Sequence, residues 1–209
     1  MAELRDGIAG GHPRFLNAVY VDAAVTARYR SEHHEFRSRG DAAVQVVRLA
    51  WVTDAFFAQI CVRAKVASRN LGIPIVPTLL HHLAVITGQL NIGDFVVMAP
   101  GIYLPHGNVV IDGLTRIESG VAIRPYVTIG LVDGNVLGPC LEENARIGTG
   151  AKVVGPVTVG ARANVGANAV VVSDVPSNTT AVGIPARVLT GSDSDAGPAD
   201  GGRGRQPSP

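Results

Sequence analysis

The chain has 209 residues, enough for one sizeable domain with a smaller appendage, and its formal net charge is +1. Its 18 basic residues are scattered rather than clustered, which argues against nucleic acid or a membrane surface as a partner. Cys61 and Cys140 have no metal-binding or redox spacing, and no stretch approaches the roughly 20 apolar residues of a membrane span. We therefore predict a soluble, cytoplasmic protein with free thiols and no bound metal.

The part of the chain before residue 91 is predicted to be partly helical. Residues 1–40 are expected to form a poorly ordered segment, in which Ala23 to Arg37 makes at most a weakly held polar helix. Residues 41–90 are expected to form an α-helical segment, with one run from Asp41 to Asn70 and a second helix from Thr78 to Gln89. Asp41 is the candidate N-cap of the first run. The apolar residues at helical spacing are Val44, Val47, Trp51, Ala55, Phe56, Ile60 and Ala64 in the first run, and Leu79, Leu80, Leu83, Ile86 and Leu90 in the second.

From Ile92 to Val171 an aliphatic residue returns at every sixth position, with two interruptions. The positions are Ile92, Met98, Leu104, Ile111, Ile117, Ile123, Ile129, Leu141, Ile147, Val153, Val159, Val165 and Val171. Four residues after each comes a small or β-branched residue, except at Asn108 and Asp133. Neither a helix nor a simple strand alternation has this period, whereas a hexapeptide repeat does. We therefore predict stacked coils of short strands over residues 91–190, followed by a disordered tail over residues 191–209.

The two interruptions fall just after His106 and in the stretch from Leu131 to Cys140, and irregular places in a regular array are where chemistry is expected. His106 follows the inward-facing Leu104 at a coil corner. Histidine has an ordinary pKa of about 6.5, which suits a general base near neutral pH. His81 and His82 are adjacent on a predicted helix and point about 100° apart, so we expect a structural or solvated role for both.

The repeat region resembles the serine acetyltransferases of the hexapeptide-repeat acyltransferase superfamily, with weaker similarity back to about Thr53. The motifs that carry the resemblance are Gly101–Gly107, which contains His106, and then Ile147–Gly155, Val165–Val172 and Val182–Arg187. The resemblance implies a left-handed parallel β-helix of triangular coils preceded by a small helical segment. It also implies a homotrimer with active sites between subunits, acetyl-CoA as co-substrate and a small molecule with a hydroxyl group as acceptor.

Carried over residue by residue, the resemblance makes His106 the general base. It places coenzyme A along the backbone of Thr149, Gly150 and Ala167, with Arg187 near the phosphates.

The chain also departs from the family at several positions. Asn91 stands where the family has the carboxylate that orients the catalytic histidine, and its amide oxygen can still accept a hydrogen bond from the imidazole, so Asn91 is the second predicted catalytic residue. If a carboxylate fills that role instead, Asp94 and Asp112 are the nearest in sequence. Pro105 replaces the acidic residue that holds the amino group of serine. Leu137 and Gly138 replace the pair that grips its carboxylate.

The sequence therefore favours an acetyl-CoA-dependent O-acetyltransferase in which His106 accepts the proton of the attacking hydroxyl. Two alternatives stay open at this point. One is transfer to a different acceptor, such as a sugar, an amino-alcohol or an amine, because the residues that grip serine are replaced. The other is a catalytically weak scaffold homologue that keeps only the trimer and the coenzyme pocket.

Overall fold

A computed structural model describes residues 11–32 and 34–189 of the chain. Its helices are α1 (Phe15–Tyr29), α2 (Arg39–Val52), α3 (Phe56–Asn70) and α4 (Val76–Gly88). The predicted disordered tail over residues 191–209 lies outside the described residues. The proposed division of the chain at residues 41, 91 and 191 stays a prediction.

The helical part differs from the prediction in its boundaries. The first helix covers Phe15–Tyr29 and buries Asp22 and Thr26 among alanines, instead of forming a weakly held helix from Ala23 to Arg37. The predicted run from Asp41 to Asn70 is broken after Val52, and the two resulting helices meet at an angle of 117°. The N-cap of α2 is Ser38, whose hydroxyl accepts a hydrogen bond from the Asp41 backbone N–H. The prediction that Asp41 is the N-cap was therefore wrong.

The apolar stripes of these helices are also less buried than predicted. Trp51 in α2 is 90% exposed, and Leu79, Leu83 and Ile86 in α4 are exposed as well. Helices α3 and α4 instead pack through small residues, since an added methyl group on Gly88 would lie only 2.5 Å from the Cβ of Ala58. Such contacts let two helix backbones approach closely and turn the larger side chains outward. Among the described residues, no single helix is long and apolar enough to cross a membrane. The bent pair α2–α3 reaches the required length and apolar composition only when its two helices are counted together.

The second half of the chain forms short strands that build three sheets. The strands are β1 (Leu90–Ile92), β2 (Val97–Met98), β3 (Val109–Ile111), β4 (Leu114–Ile117), β5 (Ala122–Ile123), β6 (Thr128–Gly130), β7 (Leu137–Leu141), β8 (Arg146–Ile147), β9 (Lys152–Val154), β10 (Thr158–Val159), β11 (Asn164–Val165), β12 (Val170–Val171), β13 (Thr180–Val182) and β14 (Arg187–Val188). The sheet orders are β1-β3-β6-β9-β12, β2-β4-β7-β10 and β5-β8-β11-β13-β14. Every pairing is parallel except β13 with β14.

The chain visits the three sheets in rotation, which is the topology expected of stacked three-sided coils. The predicted parallel sheets preceded by helices are therefore confirmed, while the left-handed sense of winding stays a prediction. All the aliphatic residues of the six-residue period are buried, and they belong to one continuous core cluster. Of the positions four residues later, all are buried except Asn108 and Asp133, the two polar exceptions noted in the sequence.

Buried polar contacts join the helices to the first coil. The guanidinium of Arg63 in α3 forms a 3.0 Å ion pair with Asp22 in α1 and donates to the carbonyl oxygens of Met98 and Ala99 at 2.6 and 2.7 Å. The same carboxylate accepts hydrogen bonds from the backbone N–H of Gly101 at 2.7 Å and of its neighbour at 3.0 Å. These bonds satisfy both buried charges, and they fix the position of α3 against the coil stack.

Candidate active site

The imidazole of His106 forms a short hydrogen bond with a carboxylate from the helical segment. Its Nδ1 atom lies 2.6 Å from Oδ2 of Asp54, a residue 52 positions earlier in the chain. Both side chains are largely exposed, at 60% for His106 and 73% for Asp54, and both line an open cleft of about 350 Å³. Because a carboxylate accepts hydrogen bonds, the contact favours the tautomer with hydrogen on Nδ1 and leaves the Nε2 lone pair free.

Asp54 reaches the cleft because the helical run breaks beside it. The two residues that follow, Ala55 and Phe56, are buried at the start of α3. Helix α3 is then held against the coils by the Arg63 contacts and by Gln59, whose amide donates to the Ile102 carbonyl at 3.0 Å. Asp54 is therefore exposed on a rigid support, facing the turn that carries His106.

Gly107 sets the distance between the His106 turn and helix α4. A Cβ atom at Gly107 would overlap the carbonyl oxygen of Gly88, the last residue of α4. Only a glycine permits this approach. The end of α4 thus forms one wall of the cleft, where Ile86, Thr87 and Gln89 contribute lining atoms.

A column of left-handed turns runs along one corner of the coil stack, and we call it the corner column. Its members are Gln89, Asn108, Tyr126, Gly150 and Asn168, all with positive φ. Each lies two residues before a member of one register row of the first sheet, formed by Asn91, Val110, Thr128, Lys152 and Val170. The first three members of the column line the cleft. The corner column therefore leads from the His106 cleft along the stack.

Tyr126 is the unusual member of the corner column. Its φ is +63°, in the left-handed region that suits glycine and asparagine but is an outlier for a bulky side chain. Such a conformation costs about 1–3 kcal/mol and persists only where the surroundings hold it. The ammonium group of Lys152 donates to the carbonyls of Tyr126 and Gly150, both at 2.9 Å, and so ties two successive turns of the column together.

The structure brings together most of the residues predicted to hold coenzyme A. Thr149 and Gly150 lie one coil from Ala167, and the Thr149 carbonyl accepts from the N–H of Asn168 at 2.8 Å. Gly148 allows the close approach, because an added Cβ would lie 2.7 Å from the Ala167 nitrogen. Arg187 is placed elsewhere: it is exposed on β14 and lines a separate cavity with Asp174.

The predicted partners of His106 are not found beside it. Asn91 lies on β1 with an exposed side chain and is not among the residues that line the cleft. Asp94 pairs with Lys65 and Arg69 at 3.0 and 2.9 Å. Asp112 accepts from the N–H of Gly113 at 2.7 Å, so neither carboxylate contacts the imidazole. Sequence reasoning missed Asp54, although Thr53 and Asp54 are residue types that favour helix starts over helix interiors.

The other titratable groups in the described part of the chain do not form a second centre of this kind. Burial and the charge of Lys65 lower the pKa of His81, and the His82 ring contacts the Thr78 carbonyl at 2.8 Å. Both cysteines are free, and burial raises the pKa of each thiol. Within residues 11–32 and 34–189 no cluster of side chains could hold a metal ion.

Comparison with known proteins finds similarity to serine acetyltransferases in both sequence and structure. The chain is 36% identical over 138 residues to the serine acetyltransferase of Synechococcus elongatus, covering 64% of this chain and 56% of that protein. It is 35% identical over 137 residues to the serine acetyltransferase of Helicobacter pylori strain J99, covering 64% of this chain and 80% of that protein. The soybean serine acetyltransferase solved in complex with serine has a TM-score of 0.70 and 26% identity, covering 86% of this chain and 71% of that chain.

These similarities differ in how much of each relative they cover. The chain spans about half the length of the Synechococcus protein, whereas it spans most of the Helicobacter one. No family model matches the sequence.

Proposed function

Because the chain belongs to the serine acetyltransferase family, we propose that it transfers an acetyl group from acetyl-CoA directly to the hydroxyl of a small acceptor. The observation that carries this proposal is the 2.6 Å contact between His106 and Asp54 in the cleft. Membership of the family supports acetyl transfer as the reaction. The contact with Asp54 supports His106 as the base, because it orients the imidazole with its hydrogen on Nδ1.

In the proposed mechanism, Nε2 of His106 accepts the hydroxyl proton while the acceptor oxygen attacks the thioester carbon of acetyl-CoA. The tetrahedral intermediate then collapses, the carbon–sulfur bond breaks, and the departing thiolate takes the proton from the imidazolium. An ester and free coenzyme A are the products. General-base assistance of this kind is typically worth about 100- to 10,000-fold.

Asp54 has two effects in this mechanism. Its contact with Nδ1 holds the imidazole in the tautomer whose Nε2 can accept a proton. Its negative charge also stabilises the imidazolium that forms during attack. Asp54 thereby takes the role that the family assigns to the position of Asn91. The oxyanion of the intermediate is expected to accept hydrogen bonds from backbone N–H groups at a coil corner.

Acetyl-CoA is proposed to lie along the corner column, against Thr149, Gly150 and Ala167. Its acetyl end would then reach the cleft that the same column lines at Asn108 and Tyr126. Arg187 lines a different cavity on its own chain. If it binds the coenzyme phosphates, it is therefore proposed to do so for a coenzyme held by a neighbouring subunit. We further propose that the coils wind in the left-handed sense and that the chain forms a homotrimer with active sites between its subunits. A monomer mass by light scattering at micromolar concentration would contradict the shared site.

The test is release of free thiol from acetyl-CoA in the presence of hydroxyl acceptors, including serine. His106→Ala is expected to reduce turnover by about 100-fold or more while leaving the fold intact, because an exposed turn residue contributes little to the core. His82→Ala is the matched control and is expected to leave turnover nearly unchanged. Full activity in His106→Ala with any acceptor would refute the general-base role.

A further inference from the structure

The part of the cleft beside His106 that this chain supplies carries a carboxylate but no positively charged lysine or arginine side chain. Its polar side chains are those of Asp54, Thr87, Gln89, Asn108 and Tyr126, besides His106 itself. Among the described residues, no lysine or arginine lines the cleft. Asp54 could pair with the ammonium of a free amino acid, but this chain supplies no cation for its carboxylate, which would lie close to the Asp54 carboxylate. Like charges at short range disfavour binding.

The lining does contain groups that suit neutral, hydroxyl-rich molecules. The amides of Gln89 and Asn108 can each donate and accept hydrogen bonds. They lie on successive turns of the corner column, so they face the cleft from adjacent coils. Tyr126, on the next turn, adds an aromatic ring that is 59% exposed.

The conformation of Tyr126 indicates that its ring serves the cleft rather than the fold. Within residues 11–32 and 34–189, the ring is in no aromatic stack and the hydroxyl has no hydrogen-bond partner. The corner positions of the following coils are Gly150 and Asn168, which adopt positive φ with less strain. A strained residue whose ring is mostly exposed points to a role in binding.

We propose that Tyr126, Gln89 and Asn108 form the acceptor platform, and that the platform selects a neutral sugar ring over a free amino acid. The C–H face of the sugar would lie on the Tyr126 ring, and its hydroxyls would bond the two amides. One hydroxyl would then point at Nε2 of His106. This inference rests on the proposed function, because it concerns the acceptor of the same acetyl transfer.

The experiment measures thiol release from acetyl-CoA with methyl glucoside, methyl galactoside and L-serine as separate acceptors. At least one glycoside is expected to give a kcat/KM about 10-fold or more above that of serine. Tyr126→Asn is expected to raise the KM for that glycoside about 10-fold and to leave the KM for acetyl-CoA unchanged. Tyr126→Phe, which keeps the ring, is expected to retain most of the activity.

A thermal melt separates this role from a structural one. Tyr126→Asn relieves a strained turn, so its Tm is expected to rise while glycoside turnover falls. Arg162→Asn is the matched control, because Arg162 also has positive φ, at +57°, in a turn away from the cleft. It is expected to raise the Tm without changing turnover.

Two outcomes would overturn the inference. The first is turnover of serine at least as efficient as that of the glycosides, or no glycoside turnover. The second is unchanged glycoside KM in Tyr126→Asn. Acetyl-CoA binding, measured by calorimetry, distinguishes these results from failure of the proposed function. If the chain binds acetyl-CoA and acetylates only serine, the proposed acetyl transfer stands and the acceptor platform is refuted. A chain that does not bind acetyl-CoA loses both.

Discussion

The coil stack and the helical segment are held together by different kinds of contact. The coils bury one aliphatic column, in which every inward position is equivalent to the one a coil away. The helices bury fewer large apolar side chains and are fixed to the coils by specific polar bonds, above all those of Arg63 and Asp22. The proposed catalytic pair joins the two regions, with His106 on the first coils and Asp54 at a helix break. The coils therefore provide most of the buried apolar core, whereas the helices determine the geometry of the proposed site.

The largest effect is expected from a charge placed in the column. Ile147→Asp would bury a carboxylate without a partner, and we expect it to destabilise the fold by about 5 kcal/mol or more. Arg146→Asp, at the exposed neighbouring position, is the control and is expected to have little effect. Circular dichroism and denaturant titration measure both. A well-folded Ile147→Asp variant would show that the column does not hold the coils.

The next effect tests the joint between the two regions. Arg63→Met leaves the buried Asp22 carboxylate without its ion-pair partner, which is expected to cost about 3–5 kcal/mol. It should also lower turnover, because the packing of α3 positions Asp54, which lies two residues before that helix begins. Arg116→Met, which removes an exposed ion pair with Glu118, is expected to cost less than about 1 kcal/mol. If Arg63→Met unfolds at the wild-type denaturant midpoint, the joint does not depend on this pair.

A smaller effect, confined to catalysis, is expected at Asp54. Asp54→Asn should reduce kcat by about 10-fold or more, and less than the roughly 10,000-fold seen when a buried partner of a catalytic histidine is changed, because this pair is exposed. Stability should not change measurably. Asn91→Asp is the matched test of the other candidate position. Rescue of Asp54→Asn by Asn91→Asp would show that the strand position, not the helix break, still orients His106.

The smallest effect is expected at Asp94, where burial opposes ionisation but the hydrogen bonds and charges of Lys65 and Arg69 prevail and lower the pKa. A lowered folded-state pKa stabilises the fold above the unfolded-state pKa, and that contribution is lost as the pH falls through the folded-state value. Asp94 is 59% exposed, so solvent screening should keep the effect of Asp94→Asn below about 1 kcal/mol at pH 7. Thermal melts from pH 7 to pH 2 should show the variant and wild type converging. A gap that widens at low pH would contradict this sign.

The coils could be predicted from the sequence because each inward position repeats a local rule. The interruption after Leu104 also identified His106, which the structure places in a cleft. The helical segment was harder to predict, because its apolar residues keep their helical spacing across the break between α2 and α3, where Asp54 lies. Nothing local in the chain indicates that Asp54 meets a residue 52 positions away. That contact depends on how α3 packs, and α3 packs through small residues and buried polar bonds that carry no period.

The corner column has a consequence for how the chain can change its length. From Tyr126 to Gly150 the chain includes the loop between β6 and β7, yet Thr128 and Lys152 are direct partners in neighbouring strands. The separation between the His106 cleft and the proposed coenzyme groove is therefore counted in strands, at about 4.8 Å each, and not in residues. A loop that leaves the stack and returns in register can lengthen or shorten without changing the distance between the His106 cleft and the proposed coenzyme groove. The proposed acceptor region is thus free to diversify while its distance from the proposed acetyl-CoA groove stays constant.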